Sequence, residues 1–177
     1  TLVKIFDFAG LEVALAAPTG RAAKRMEEAS GKPAMTIHRL LEFVWSDEDD
    51  TLNFGRNDEN PLEQDVIIID EASMIDLMLM DGLLNAVKEG TRLIFTGDAD
   101  QLPPVGAGNV LRDLISSGLI PTVELKEIFR QAAESLIVTN AHKIVHGENP
   151  ELDERKKDFF FMPTRSDEET ARLVIDL

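Results

Sequence analysis

No cysteine occurs in the 177 residues, which excludes disulfides, thiol catalysis and cysteine-ligated zinc, and is compatible with a cytoplasmic location. No apolar run approaches the roughly 18 residues that a bilayer-spanning helix needs, so membrane insertion is not expected. The residues given show no signal-peptide pattern, no internal repeat and no low-complexity tract. Positive charge is scarce, with 18 Lys and Arg against 33 Asp and Glu and a formal net charge of −15. That balance argues against indiscriminate binding to nucleic acid, because phosphate contacts need Lys and Arg to displace counterions. A start methionine is missing too. Thr1 opens inside what reads as the tail of an amphipathic helix, so an excised or incompletely represented piece is expected.

What the chain does have is an ordinary globular composition, 44% hydrophobic and 29% charged. Its length favours one domain with at most an appendage. The few basic residues are not spread evenly. Arg21, Lys24, Arg25, Lys32 and Arg39 lie close together in sequence, and Asp47, Glu48, Asp49, Asp50, Asp58, Glu59 and Glu63 crowd the segment that follows. The basic island fits either a solvated helix face or a local site for an anion. Arg21, Lys24 and Arg25 fall at the start of a helix, where cations oppose the macrodipole, and this asks for an anionic partner.

The chain is organised around Asp65-Val66-Ile67-Ile68-Ile69-Asp70-Glu71-Ala72-Ser73-Met74. Four branched apolar residues without polar alternation suit a central parallel strand covered on both faces. Ligands of open parallel sheets bind beyond the carboxyl ends of the strands, where Asp70 and Glu71 fall. In a nucleotide-hydrolysing enzyme the first acid would hold Mg²⁺ and the second would orient or deprotonate the attacking water. A strand that simply stops at an Asp-Glu turn fits the same ten residues.

Around that strand, apolar runs alternate with helical patterns. Strands are expected at residues 13–17, 92–96, 122–125 and 159–162. Helices are expected at about 21–30, 36–41, 75–87, 108–117, 133–146 and 167–177, the last capped through Ser166. Thr19 and Thr36 are candidate caps, and the methionines of the 75–87 segment read as core filler. Residues 43–64 form an acidic connection with two short antiparallel strands on either side of Asp49 and Asp50, and Trp45 and Phe54 fit hairpin packing better than base stacking. His38 has no Cys or His at ligand spacing, so a polar or ligand contact suits it better than a metal. Strands alternating with helices are the pattern of a parallel α/β sheet.

Five stretches, in order, match the motifs of one family: residues 17–25 (Ala-Pro-Thr-Gly-Arg-Ala-Ala-Lys-Arg), 36–41, 70–74 (Asp-Glu-Ala-Ser-Met), 97–108 (beginning Gly-Asp-Ala-Asp-Gln-Leu-Pro-Pro-Val) and 127–131. Together they resemble RecD-type DNA helicases, superfamily 1 motors related to the alpha subunit of exodeoxyribonuclease V, over about residues 13–150. The resemblance implies an α/β, RecA-like P-loop NTPase fold, a mostly parallel sheet flanked by helices. It further implies an ATPase coupled to 5′ to 3′ movement along single-stranded DNA in recombination and repair, with ATP and Mg²⁺ as cofactors. Carried over, Asp70 would bind Mg²⁺ and Glu71 would activate the hydrolytic water. Gln101 would sense the γ-phosphate, and Arg130 would contact it and stabilise transition-state charge. Pro18, Thr19, Gly20 and Arg21 would lie along the DNA backbone, with Thr36, His38 and Arg39 nearby. Other subunits of a helicase-nuclease complex are candidate partners.

One part of the family pattern is missing. No G-x-x-x-x-G-K-[ST] phosphate loop occurs in the sequence, although a motor of this kind needs its amides and lysine to hold the nucleotide. The expectation is an incomplete first motor domain over residues 1–150, with a terminal strand and helix at 151–177 leading toward an absent second domain. Such a piece alone would hydrolyse little or no ATP. The competing reading is a non-catalytic RecA-like module that binds DNA or protein.

Overall fold

A computed structural model of the chain describes residues 1–46, 51–125, 135–152 and 158–176. It divides into two compact units, Thr1–Thr122 and Val123–Leu177. The first holds a four-stranded parallel sheet built from β1 (Val13–Ala17), β2 (Met35–Thr36), β5 (Val66–Ile69) and β6 (Arg92–Phe95), in the order β2-β1-β5-β6.

The unbroken apolar run of β5 makes this a two-sided structure. Ile67 and Ile69 face one way, into a core with Leu41, Ile75, Leu79, Leu83, Val110 and Leu111. These come from, or flank, α3 (Ile37–Leu40), α4 (Leu77–Ala86) and α5 (Val110–Ser117). Val66 and Ile68 face the other way with Leu15, against Val3 and Phe6 of α1 (Leu2–Phe8) and Met26 of α2 (Gly20–Ser30). All four strand residues are buried, and each side chain of that size contributes about 1.5–3 kcal/mol when fully removed from water. A polar residue at any of the four would strand itself in one core or the other.

The acidic connection is a hairpin, β3 (Phe43–Ser46) pairing antiparallel with β4 (Thr51–Phe54). The Asp49-Asp50 tip and the Trp45 side chain lie outside the described residues. Phe54 packs at 5.5 Å on Phe43 and also lies across α4. Helix α4 accommodates the ring with a glycine, since a Cβ at Gly82 would stand 2.7 Å from Phe54 Cδ2 and 2.9 Å from Cζ.

Several expectations are corrected. The segment after β5 is not one helix from residue 75. A 3₁₀ turn (Ala72–Met74) comes first, and Asp76 then caps α4 by accepting a 2.8 Å hydrogen bond from the Leu79 amide. Of the methionines, Met80 is buried, but Met74 and Met78 are exposed, because the 3₁₀ turn and the later start re-aim the apolar stripe. Residues 122–125 and 158–166 form no strand. Val123, Leu125, Phe160 and Phe161 are exposed, and among the described residues neither run is paired into a sheet.

In the second unit, α6 (Leu136–Val145) starts at Ser135, whose hydroxyl accepts from the Val138 amide and donates to Asp158. The Ser135 hydroxyl, with a smaller contribution from the Leu136 amide, holds the Asp158 carboxyl below the usual carboxylate range. Buried Asn140 exchanges two hydrogen bonds with the Glu151 backbone, at 3.0 and 2.7 Å, as a strand residue would. Helix α7 (Asp167–Asp176) is capped at Ser166 as expected. No helix among the described residues is long and apolar enough to cross a membrane.

The Phe54–Gly82 contact is testable. Gly82→Ala adds about 1 kcal/mol of helix propensity, yet the displaced ring should make the variant roughly 1–3 kcal/mol less stable to urea. On a Phe54→Ala background the same substitution should cost nothing or stabilise; an equal cost on both backgrounds would remove the contact from the explanation.

Candidate functional site

Register brings the polar strand ends to one edge. Ala16 pairs with Ile69 and Ile69 with Phe95, so Ala17, Asp70 and Thr96 leave the sheet side by side; Ala17 pairs with Thr36 on the other flank. The Asp70 amide donates to Ala16 O at 3.0 Å. The Thr96 hydroxyl donates to Asp70 Oδ1 at 2.6 Å, which fixes one carboxylate oxygen and leaves the other available.

Glu71 follows in the left-handed region, at φ 54° and ψ 41°. A non-glycine residue there carries strain of about 1–3 kcal/mol. The strained residue turns the chain out of the strand and into the 3₁₀ turn, where the Met74 amide donates to Glu71 O at 3.1 Å. Its side chain makes no capping hydrogen bond, so the strain is not offset by a local cap.

The turn is held from β6. The Ala72 amide donates to Thr96 O at 2.9 Å, and Gly97 packs so tightly that a Cβ there would lie 3.0 Å from Ala72 N and 3.1 Å from Ser73 N. Within that turn Ser73 is only 5% exposed, and its hydroxyl has no hydrogen-bond partner among the described residues. A buried unpaired hydroxyl costs about 1–3 kcal/mol. Gln101 lies on the exposed loop beyond Gly97. Asp98 shapes this loop by accepting from the Asp100 amide at 2.9 Å and the Gln101 amide at 3.2 Å, and Arg112 of α5 donates to Ala99 O at 2.8 Å. The loop returns to α4 where Leu77 N donates to Ala107 O at 2.8 Å.

On the other flank, Thr19 caps α2 by accepting from the Ala22 amide at 3.2 Å, and Thr36 caps α3 by accepting from the Arg39 amide at 3.2 Å. Small Ala17, Ala22 and Ala23 let the first turn of α2 close onto the strand end. Arg21 and Arg39 are exposed, and neither has an ion-pair partner among the described residues. Lys32 differs from the rest of the basic island because it pairs with Asp7. His38 packs edge-on to Phe43, with ring centroids 5.1 Å apart. Pro18 is half-buried and Gly20 exposed. Arg130 lies outside the described residues.

The donor chemistry at the acid pair fits Mg²⁺. Carboxylate and hydroxyl oxygens are hard ligands, and Mg²⁺ characteristically takes one or two carboxylates with waters and substrate phosphates rather than a full protein cage. Among the described residues no group of three or more His, Asp and Glu side chains is gathered to hold a metal unaided. Sequence reasoning did not find Thr96, Arg112 or the buried state of Ser73. Thr96 was within reach: aligning the apolar runs of β5 and β6 in parallel register puts it opposite Asp70.

A parallel sheet with helices on both faces and an acid pair at the carboxyl end of its central strand defines the RecA-like class. The chain belongs to the AAA domain family, which it matches over residues 1–159. It is 43% identical over 147 residues to the ATP-dependent RecD2 DNA helicase of Deinococcus radiodurans, covering 83% of this chain and 19% of that protein. It is 42% identical over 135 residues to the RecBCD enzyme subunit RecD of Mycolicibacterium smegmatis, covering 67% and 24%. The chain therefore spans a quarter or less of the length of these curated relatives. Among solved structures it is similar to Bacteroides Pif1 bound to ssDNA, with a TM-score of 0.54 and 25% identity over 84% of this chain and 40% of that one.

The strain at Glu71 gives a prediction about stability. Glu71→Gly should raise the unfolding free energy by roughly 0.5–2 kcal/mol, the relieved strain less the extra entropy of an unfolded glycine. A loss of stability in urea titration would mean that the Glu71 side chain holds the turn together.

Proposed function

We propose that this chain is part of the first motor domain of an ATP-dependent DNA helicase, coupling Mg-ATP hydrolysis to movement on single-stranded DNA. The observation that carries the reading is the end of β5. Asp70 is anchored by Thr96 through one carboxylate oxygen, and the backbone bonds on either side hold Glu71 in a strained conformation while its side chain makes no capping hydrogen bond. Strained residues cluster at functional sites; the other left-handed glutamate among the described residues, Glu42 at φ 52°, has no such acid beside it. The 43% identity to a protein named as an ATP-dependent RecD2 DNA helicase supports the same reading.

When bound, Mg²⁺ would supply charge neutralisation at the β- and γ-phosphates. The chain's own residues would do the rest. Asp70 would hold the ion, directly or through water. Glu71 would orient the attacking water and take its proton, and the exposed Gln101 would report on the γ-phosphate. Arg130 would stabilise charge developing on the transferred phosphoryl group. The paired turns at Thr19 and Thr36 would track the DNA backbone, with Pro18 and Gly20 shaping the first turn and Arg21 and Arg39 contributing charge; His38 would support the second turn through Phe43. Movement in the 5′ to 3′ direction rests on the family resemblance alone.

Two outcomes are expected in the full reading frame that contains this chain. Glu71→Gln should keep Mg-ATP binding while DNA-stimulated turnover falls by about a hundredfold or more; unchanged turnover would remove Glu71 from the chemistry. Arg21→Ala with Arg39→Ala should weaken single-stranded DNA binding and reduce the log–log salt slope by about 0.7 for each phosphate that is no longer neutralised. An unaltered slope would return both arginines to the solvated surface. A folded protein that binds DNA but hydrolyses no ATP would favour the non-catalytic module.

A further inference from the structure

Two buried side-chain atoms among the described residues lack hydrogen-bond partners, Gln64 Oε1 and Ser73 Oγ. Gln64 precedes β5 at the amino edge of the sheet, where neighbouring Asp65 accepts from the Glu12 amide at 2.8 Å. It is remote in the fold from the acid pair. Ser73 stands two residues past Glu71, in the turn that carries the site.

The surroundings of Ser73 differ sharply in how firmly they are held. The turn itself is fixed: Ala72 N bonds to Thr96 O, Met74 N to Glu71 O and Ile75 N to Ala72 O. The neighbouring loop is held lightly. Beyond Gly97, the side chains of Asp98, Asp100 and Gln101 are exposed. Its ties are the local bonds to Asp98, one bond from exposed Arg112 to Ala99 O and the packing of half-buried Ala99 on the core. Gly97 brings that loop against the backbone of Ala72 and Ser73, leaving no room even for a methyl group without displacement. A small shift of this loop could therefore bring one of its amides or carbonyls to the Ser73 hydroxyl, which can donate or accept.

A group unpaired in one arrangement and paired in another gives the two a difference in free energy, and that difference can couple a site to a conformation. We propose that Ser73 is a positioning residue: its buried hydroxyl bonds to the backbone of residues 97–101 in the arrangement that presents Gln101 to bound nucleotide. This rests on the nucleotide-hydrolysis reading and adds to it the residue that links the acid-pair turn to the Gln101 loop. Ser73 touches no substrate; it makes the loop's placement conditional on an occupied site.

The experiment compares wild type, Ser73→Ala and Ser73→Thr in the full reading frame. Amide hydrogen exchange of residues 97–101 is followed with and without Mg²⁺ and a non-hydrolysable ATP analogue. In the wild type, nucleotide should slow exchange across the loop. In Ser73→Ala that protection should be lost and DNA-stimulated kcat should fall about tenfold, a typical scale for coupling between sites, with KM for ATP within about twofold of wild type. The nucleotide-free melting temperature of Ser73→Ala should not fall, because the hydroxyl has no partner to lose. Ser73→Thr, which keeps the hydroxyl, should restore loop protection and kcat together. Normal protection and kcat in Ser73→Ala would overturn the proposal, and so would a lowered melting temperature with normal protection, the mark of a merely structural serine. A wild type that binds no nucleotide would instead overturn the functional reading on which the proposal stands.

Discussion

Burial of Val66, Ile67, Ile68 and Ile69 on both faces of the sheet is the constraint on which the remaining features depend. A strand covered on both sides cannot place a polar side chain along its length, so its first acids must wait for its end. Helices α1 and α2 close one face and α3, α4 and α5 the other. Parallel pairing in strict register then aligns the ends of β1, β5 and β6. Asp70 meets Thr96 because Ile69 meets Phe95. The edge is thus a product of core packing, and any slip of register would separate the acid from its anchor.

The same logic explains why strain can persist at Glu71. A left-handed glutamate survives only where its neighbours leave the backbone no alternative. Here Asp70 N is tied to Ala16 O on one side, and Ala72 N to Thr96 O on the other. Tight contact with Gly97 closes the third side. Three restraints from two different strands therefore fix a single residue, and the core supplies the free energy that holds the strained turn.

Much of this was legible in the residues. The period of β5, the caps at Thr19 and Thr36 and the hairpin between Phe43 and Phe54 follow from local rules that need no tertiary information. The failures fall where a distant partner decides. Residues 122–125 and 159–162 have the apolar content of strands, but strands require an edge to bond with, and composition says nothing of that. Met78 matches a helical stripe in sequence, yet it is exposed in α4, which begins only at Leu77 after the 3₁₀ turn. The anchoring of Asp70 by Thr96 is an intermediate case. It required only the assumption that two apolar runs lie parallel in register, whereas the bond from Arg112 to Ala99 O required knowing how α5 packs.

The two flanks of the edge differ in construction. On the acid side the turn is held by backbone bonds, by the Thr96 hydroxyl on Asp70 and by close packing at Gly97, which suits the positioning role proposed for it. On the basic side, the turns are capped but their cations are left exposed, which suits the proposed contact with an extended polyanion. Lys32 shows the contrast, because its charge is engaged with Asp7 while Arg21 and Arg39, next to the strand ends, have no ion-pair partner among the described residues. In a chain of net charge −15, leaving these two cations unpaired has an electrostatic consequence. Around these two arginines the repulsion that a net negative chain exerts on a polyanion is locally offset, which is the electrostatic basis of the DNA contact proposed for this edge.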